Sequence, residues 1–173
     1  MYSSLEKRLH ETHPGTFFLN PQDPAGLERF LRKTSRLSPG EHIANMEKPG
    51  EGNMNCVVRI ITNVQSFIIK QARPWVEKYP QVAAPIERII VEGIYLQQMH
   101  SSVVTSQMTP SVLWEDASHY MMALEVLGDC RDLVNRYARG QSIEPSKLRE
   151  LTGYRSDLHG MTPTGGLPAE GAR

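Results

Sequence analysis

Two runs of strand-forming residues near the middle of the chain constrain its fold more than any other feature. The first run covers residues 54–62, and the second extends from Phe67 to Gln71. Both are rich in β-branched and aromatic side chains, which pack well on a pleated sheet and are typical of strands. The segment between them, Thr62-Asn63-Val64-Gln65, is short enough for a hairpin turn. We therefore expect an antiparallel strand pair at the centre of the fold.

The flanking sequence supplies further strands and a helix. A short strand over 42–48 precedes the turn-forming run Pro49-Gly50-Glu51-Gly52-Asn53, so three strands are expected to follow one another as a meander. Apolar residues at helical spacing predict a helix over about 84–100, and strands are predicted at 112–114 and 120–127. This order predicts an α+β fold, in which one long helix is inserted after the third strand of a five-stranded antiparallel sheet.

Both ends of the chain are predicted to contain helices outside this sheet. A proline at the first helical position opens a helix over about 24–36, after an irregular segment at 1–22. Two C-terminal helices are expected to begin near Asp129 and Pro145. The last residues, 161–173, are rich in glycine, proline and threonine, and we expect a flexible tail there.

The composition excludes several functional classes. Apolar residues make up 39% of the chain and charged residues 22%, which argues against a wholly disordered protein. The 19 acidic and 19 basic residues leave no net charge, whereas a non-specific nucleic-acid binder needs a basic surplus. No apolar run reaches the length of a membrane span. We therefore expect neither nucleic acid nor a membrane as a partner.

Few residues suggest a disulfide or a metal site. Cys56 and Cys130 are the only cysteines and are far apart in the sequence, which favours reduced thiols and a cytoplasmic location. His10 and His13 have a spacing that zinc sites use, but the polar stretch around them offers no other evident ligand. We therefore expect this chain to hold no metal.

The turn after the first strand has the residues of a phosphate-binding loop. Gly50 and Gly52 would let the backbone approach a phosphate chain closely, and successive N–H groups could donate to its oxygens. Asn53 and Asn55 tolerate the positive φ values that such a turn can need. An ordinary hairpin loop would use the same residue types, so the turn by itself leaves both interpretations open.

Two charged residues follow this turn in an order that favours the phosphate interpretation. Lys70 comes directly after Ile68 and Ile69 on the third strand, where an ammonium group costs free energy unless an anion meets it. Glu92 lies within the next helix, where a kinase-like fold keeps the glutamate that pairs with its strand lysine. The alternatives are a lysine that reaches solvent from an exposed sheet face, and a local pair of Glu92 with Arg88.

At these residues the sequence resembles the amino-terminal lobe of the methylthioribose kinase-like phosphotransferases, a family that belongs with the aminoglycoside and choline kinases. The similarity covers roughly residues 40–140. Its most specific part is the lysine-glutamine-alanine run with the proline, aromatic residue and tyrosine that follow. The segments that carry the resemblance are Pro49-Gly50-Glu51-Gly52-Asn53-Met54-Asn55, Ile69-Lys70-Gln71-Ala72-Arg73-Pro74-Trp75-Val76-Glu77-Lys78-Tyr79, Pro85-Ile86-Glu87-Arg88-Ile89-Ile90-Val91-Glu92 and Ala123-Leu124-Glu125-Val126-Leu127.

The resemblance implies a protein-kinase-like small lobe that binds ATP. Lys70 and Glu92 would form the catalytic pair, with Lys70 holding phosphate oxygens and Glu92 orienting Lys70. Backbone groups of Glu125 and Leu127 would bond the adenine, with Leu124 beside it. Magnesium would be expected only together with a complete second lobe. The nucleotide-binding residues implied in this way are Gly50, Gly52, Asn53, Asn55, Lys70, Leu124, Glu125 and Leu127.

The second lobe of these relatives carries a histidine-glycine-aspartate loop, an asparagine soon after it and a metal-binding aspartate. The run His159-Gly160-Met161 does not match that loop. Together with the helix predicted at 24–36, the resemblance gives the expected organisation: an N-terminal extension with one helix at 1–39, the nucleotide-binding lobe at 40–128 and the first helices of a truncated second lobe at 129–160. Phosphoryl transfer uses groups from both sides of a cleft, so we expect a phosphotransferase lobe that is inactive alone.

Two alternatives accompany this hypothesis. The chain could be one half of a split kinase that is completed by a second-lobe chain, or the lobe could serve as a non-catalytic interaction module. The surface that would face a second lobe should be apolar, and exposed apolar patches favour partners or self-association. The sequence does not identify the acceptor substrate, because that specificity lies mostly in the second lobe.

We predict that the purified chain, incubated with Mg²⁺, ATP and methylthioribose, forms no acceptor-dependent ADP. The reason is that the family's catalytic and metal-binding aspartates have no counterpart among the motifs of this sequence. A coupled ADP assay with and without the acceptor measures this outcome. Robust turnover that follows the chain through purification would contradict the prediction.

Overall fold

The computed structural model describes residues 2–50, 52–128, 140 and 142–161. The chain divides into two units, each of which is described by itself. The first consists of Met1–Gln98 and Pro110–Leu127, and the second of Met99–Thr109 and Gly128–Arg173. None of the helices in these described ranges has the length and apolar character that crossing a membrane requires.

A five-stranded antiparallel sheet forms the centre of the first unit and has the strand order β1-β2-β3-β7-β6. The predicted α+β class and the predicted sheet are confirmed. A separate hairpin of β4 and β5 was not predicted, because its strands are short and contain Pro80. The strands are β1 (Ile43–Glu47), β2 (Cys56–Thr62), β3 (Ser66–Gln71), β4 (Trp75–Val76), β5 (Tyr79–Ala83), β6 (Val112–Asp116) and β7 (Met121–Glu125).

The structure does not show the single long helix that the sequence predicts. The helix after the third strand has 12 residues, whereas the helix that begins at Pro145 has 17. Ile86 belongs to the apolar pattern, but it is buried from a turn that precedes the helix. The helix expected from Asp129 and the tail beyond Met161 lie outside the described residues. The helices are α1 (Tyr2–Thr12), α2 (Pro24–Lys33), α3 (Arg88–Met99), α4 (Val103–Ser106) and α5 (Pro145–Met161).

Helix α1 lies in a segment that was expected to be irregular, so the first 39 residues contain two helices and not one. Its sequence gives only a weak helical pattern, in which Leu5 and Leu9 are one turn apart, and among its described side chains only Leu9 is fully buried. Packing stabilises the helix instead. Leu9 belongs to the same apolar cluster as Trp75, and the guanidinium of Arg8 lies 4.8 Å from the centre of the Trp75 ring.

One face of the sheet, which we call the α2 face, packs against α2. Alternate residues of β2 point to this face and are fully buried, as the two-residue period of a strand requires. The first three of them share an apolar cluster with Leu27, Phe30 and Leu31 of α2. Asp23 caps that helix, because its Oδ1 accepts a hydrogen bond from the Gly26 N–H at 2.8 Å.

The opposite face of the sheet, which we call the α3 face, packs against α3. Ile68 and Lys70 lie on this face of β3, and their partners in β7 are Leu124 and Met122 respectively. Ile89 of α3 belongs to the apolar cluster that contains both of these β7 residues. The sheet therefore has apolar layers on both sides, and Lys70 lies on the side of α3.

Gln71 joins three segments of the first unit and is fully buried. Its Oε1 accepts a hydrogen bond from the Leu19 N–H at 2.9 Å. Its Nε2 donates to the carbonyls of Phe17, at 2.6 Å, and His119, at 3.0 Å. One side chain of β3 thus satisfies backbone groups of the N-terminal segment and of the turn between β6 and β7.

Asp116 holds the end of β6 against the segment that follows α2. Its carboxylate accepts hydrogen bonds from Arg36 Nη1 at 2.8 Å and from His119 Nδ1 at 2.9 Å. Burial by itself would raise the pKa of Asp116, but the hydrogen bonds from His119 and Arg36 outweigh this effect and lower the pKa. The carboxylate is therefore ionised at neutral pH and anchors the β6–β7 turn.

The second unit is built around α4 and α5, which pack against each other. Thr105 and Thr109 link α4 to its neighbours, because Thr105 Oγ1 donates to the Met99 carbonyl and Thr109 Oγ1 donates to the Thr105 carbonyl at 2.8 Å. Helix α5 begins at Pro145, as the sequence predicts, since a proline at the first position sacrifices no intrahelical hydrogen bond.

We predict that Gln71→Leu lowers the free energy of unfolding by roughly 3 kcal/mol or more, because each of the three backbone groups that lose their partner costs about 1–3 kcal/mol. Urea unfolding followed by circular dichroism measures the change. Gln81→Leu is the matched control, since Gln81 is exposed on β5, and its effect should stay within about 0.5 kcal/mol. Equal effects of the two substitutions would show that the buried hydrogen bonds of Gln71 contribute little.

Candidate functional site

Lys70 and Glu92 form the centre of the candidate site. The Lys70 side chain extends from the α3 face of β3, and its ammonium group is in direct contact with Glu92 Oε1. The Lys70 side chain is 20% exposed and that of Glu92 is 32% exposed, so the ion pair is only partly shielded from water. The predicted pairing of these two residues is thus present, and a ligand could reach it.

The geometry also decides between the alternatives that the sequence leaves open. Lys70 does not extend freely into solvent, since its ammonium meets a carboxylate of α3. Arg88 does not use its donors on Glu92, one helical turn away. It donates instead to Asn55 Oδ1 and to four backbone carbonyls.

Asn55 connects the glycine-rich turn to the ion pair. Its Nδ2 lies 3.4 Å from Glu92 Oε2, and its Oδ1 accepts a hydrogen bond from Arg88 Nε at 2.9 Å. Both polar groups of this side chain are therefore bound within the protein. A phosphate contact by Asn55 would have to come from its backbone, while its side chain positions the turn.

Arg88 joins several segments at the start of α3. Its Nη2 donates to the Met54 carbonyl at 2.7 Å and to the Trp75 carbonyl at 3.2 Å. Its Nη1 donates to the Arg73 carbonyl at 2.8 Å. Burial lowers the pKa of Arg88, and the neighbouring Glu92 carboxylate acts in the opposite direction. An arginine remains charged in either case, so these hydrogen bonds persist at neutral pH.

The glycine-rich turn rests on the turn between β4 and β5. The N–H of Lys78 donates to the Asn53 carbonyl at 3.0 Å, and the N–H of Glu77 donates to the Met54 carbonyl at 3.4 Å. A cavity of about 220 Å³ opens beside the two turns. Pockets for small molecules have volumes of about 300–1,000 Å³, so this cavity could hold only part of a nucleotide. It is lined by Pro21, Lys48, Gly50, Gly52, Asn55, Cys56, Val57, Glu77 and Lys78.

The two glycines of the turn are not required by the fold itself. A Cβ at Gly50 would meet no atom within 4 Å, and the nearest atoms to a Cβ at Gly52 would be 3.8 Å away. Neither glycine is among the residues with positive φ. The absence of a side chain at these positions therefore has no explanation in the packing or the backbone conformation of the described residues.

The residues predicted to bind adenine lie at the end of β7 and just after it. Leu124 is buried on the α3 face, the same face as Lys70. Glu125 is the last residue of β7, and its N–H donates to the Ser111 carbonyl at 3.0 Å. Because that N–H already donates a hydrogen bond within the protein, the groups that could still bond adenine are the Glu125 carbonyl and the backbone of Leu127.

Sequence reasoning missed two residues of this site. Val57 pairs with Lys70 in the β2–β3 register and lies half-buried on the α3 face. The sequence does contain a signal for Val57. Gly50, Gly52 and Asn55 occupy the three glycine positions of a kinase glycine loop, and such loops carry a valine two positions after the third, where Val57 lies. Arg88 was considered only as a surface partner of Glu92. No local pattern identifies it, because its partners are backbone carbonyls of other segments.

Much of the run that carries the family resemblance belongs to the core and not to the site. Gln71, Arg73 and Trp75 are fully buried. Arg73 forms an ion pair with Glu77 at 2.7 Å and lies 4.1 Å from the centre of the Phe18 ring. Only Lys70 of this run reaches the ion pair with α3, and its neighbours attach the N-terminal segment to the sheet.

In the part of the chain that the structure describes, no three histidine, cysteine, aspartate or glutamate side chains come together as a metal site would require. His10 and His13 bind nearby groups. His10 Nε2 lies 2.8 Å from the Thr16 carbonyl, and His13 Nδ1 lies 2.8 Å from Thr12 Oγ1.

Comparison with known proteins adds no assignment, since no protein-family model and no curated protein matches the chain. The similarity to the methylthioribose kinase-like phosphotransferases therefore remains a hypothesis. It depends on the quoted motifs and on the arrangement of Lys70, Glu92 and the glycine-rich turn.

Proposed function

We propose that the first unit binds ATP through its phosphate chain, as the nucleotide-binding lobe of a small-molecule phosphotransferase similar to the methylthioribose kinases. The observation that carries this proposal is the ion pair of Lys70 with Glu92, placed beside Asn55 of the glycine-rich turn. A strand lysine, a helix glutamate and a glycine turn in this order are the parts with which kinase-like lobes hold phosphates.

The glycines support the proposal independently. Because neither packing nor backbone conformation requires Gly50 or Gly52, a ligand that approaches the backbone closely would give these positions a reason to lack a side chain. A phosphate chain is such a ligand, since its oxygens bond main-chain N–H groups.

The chemistry of the pair also suits a phosphate chain. The Lys70 ammonium is a compact charge with three donors, and Glu92 holds it in a fixed position while leaving donors for phosphate oxygens. The half-buried apolar side chains of Val57 and Ile68 lie near it on the α3 face. They would offer a floor for the adenine, with Leu124 at the neighbouring position of β7.

This proposal concerns nucleotide binding, and phosphoryl transfer would need more. Transfer depends on stabilising charge from both sides of a cleft and on a residue that orients the acceptor hydroxyl. Such groups would come from a second lobe, carried on a partner chain if the protein is one half of a split kinase. The described residues would then supply the phosphate-holding side of the cleft.

We predict that Lys70→Met weakens ATP binding by about 10- to 100-fold. A charge-assisted hydrogen bond contributes about 1.5–3 kcal/mol, and methionine keeps the apolar stem of the side chain while removing its charge. Isothermal titration calorimetry with ATP measures the dissociation constants of the wild type and the variant.

Lys33→Met is the matched control for that experiment. Lys33 is exposed at the end of α2, on the other side of the sheet, and its substitution should change the ATP affinity by no more than about twofold. Circular dichroism verifies that both variants remain folded. ATP affinities that are equal in the two variants, or no ATP binding by the wild type, would refute the proposed function.

A second candidate function, a non-catalytic interaction module, is favoured by the outer side of α3. Val91, Ile94 and Tyr95 are 66%, 60% and 42% exposed, and their spacing places them on one side of the helix. Ile89 of the same helix, by contrast, is buried in the core. Burial of this surface against a second copy of the chain would stabilise a dimer.

If this module is the function, we predict that the chain dimerises and that Ile94→Glu prevents it, because a carboxylate in an apolar interface loses its hydration. Sedimentation velocity at increasing protein concentration measures the association. Val64→Glu is the matched control, since Val64 is 68% exposed in the turn after β2, and that variant should associate like the wild type. A wild type that stays monomeric at all concentrations would exclude this function.

A further inference from the structure

Two consecutive carbonyl groups of the glycine-rich turn are held in a common direction. The Asn53 carbonyl accepts a hydrogen bond from the Lys78 N–H at 3.0 Å. The Met54 carbonyl accepts from the Glu77 N–H at 3.4 Å and from Arg88 Nη2 at 2.7 Å. Both carbonyls thus point towards the β4–β5 turn, and the second is also fixed by the start of α3.

The N–H groups of the same two peptide bonds must point the opposite way. A trans peptide is planar, and its N–H is directed opposite to its C=O. No cis peptide bond occurs in the described part of the chain. The N–H groups concerned are those of Met54 and Asn55, and among the described residues neither donates a hydrogen bond. Successive N–H groups on one side of a turn form a concave site for an anion.

We propose that Arg88 is a positioning residue for phosphate binding: it fixes the peptide plane between Met54 and Asn55, next to the Asn53–Met54 plane that the Lys78 N–H holds, so that the N–H groups of Met54 and Asn55 both face the phosphate chain. This inference rests on the proposed function and extends it to groups beyond Lys70. It also gives a reason for the inward orientation of the Asn55 side chain. That side chain binds Arg88 and Glu92, which leaves the backbone N–H as the donor of Asn55 towards a ligand.

Arginine is suited to this task because its donors are arranged as a rigid planar fork. Arg88 donates through Nη2 to the Met54 carbonyl and through Nε to Asn55 Oδ1, while Nη1 bonds the carbonyls of Arg73 and Pro85. It therefore joins the turn to two rigid segments at once. A lysine has three donors on a single nitrogen, so it could not reach these separated acceptors together.

The first test uses the wild type and two probes, ATP and inorganic tripolyphosphate. In ¹H–¹⁵N correlation spectra, both probes should shift the backbone amide signals of Met54 and Asn55, because both carry the phosphate chain. ATP alone should also shift the amide of Leu127, which lies where the adenine is expected. Wild-type spectra in which ATP binds without shifting the Met54 and Asn55 amides would overturn the inference.

The second test compares Arg88→Lys with Arg29→Lys, a control on the exposed surface of α2. Arg88→Lys keeps the charge but loses the fork, so it should weaken binding of ATP and of tripolyphosphate by about tenfold or more. It should also reduce the ligand-induced shifts of Met54 and Asn55. Arg29→Lys should retain wild-type affinity within about twofold. A merely structural role of Arg88 would lower the thermal stability and leave the affinity of the folded variant unchanged.

The outcomes separate this inference from the proposed function. If the wild type binds neither ATP nor tripolyphosphate, the proposed function itself fails. If the wild type binds them and Lys70→Met weakens binding, but folded Arg88→Lys binds like the wild type, only the role of Arg88 is refuted. A loss of affinity in Arg88→Lys together with smaller shifts at Met54 and Asn55 would support it.

Discussion

The ion pair between Lys70 and Glu92 is the interaction on which the arrangement of the candidate site depends. Its partners come from β3 and α3, so it sets the rotation of the helix on the sheet. Glu92 can meet Lys70 only when Ile89 and Leu96, on the same side of α3, pack into the core. Partly exposed ion pairs add little net stability, but a lone charge at this position would be unfavourable. The pair is therefore best understood as a geometric constraint that the apolar packing supports.

Successive side chains of β3 point to opposite faces of the sheet, so two neighbouring residues have different roles. Lys70 points to the α3 face and meets Glu92, while Gln71 points to the α2 face and binds the backbone of the N-terminal segment. Since successive side chains of a strand point to opposite faces, these two adjacent residues couple the candidate site to the attachment of that segment. The buried residues that follow, Arg73 and Trp75, continue the attachment through Leu19 and Arg8.

The sequence predicts the sheet well because strand period and turn chemistry are local signals. The alternating burial of β2 and the hairpin at 62–65 are examples. The sequence does not predict α1, whose single fully buried described residue, Leu9, becomes significant only when the core around Trp75 exists. The pairing of Lys70 with Glu92 could be anticipated from the order of motifs. The contacts of Arg88 could not be anticipated, because its acceptors are backbone carbonyls, and every residue type has a backbone carbonyl.

The charges around the glycine-rich turn support the proposal of an anionic ligand there. Lys70 and Arg88 lie beside one carboxylate, Glu92, while Glu77 is paired with the buried Arg73, so these groups retain a positive excess although the whole chain has no net charge. The positive charge is held in place, because Arg88 is bound to backbone carbonyls and Lys70 to a carboxylate. Fixed charges need little reorganisation when a ligand arrives. A phosphate chain that bonded the turn and Lys70 would complete this charge balance, and a neutral ligand would not.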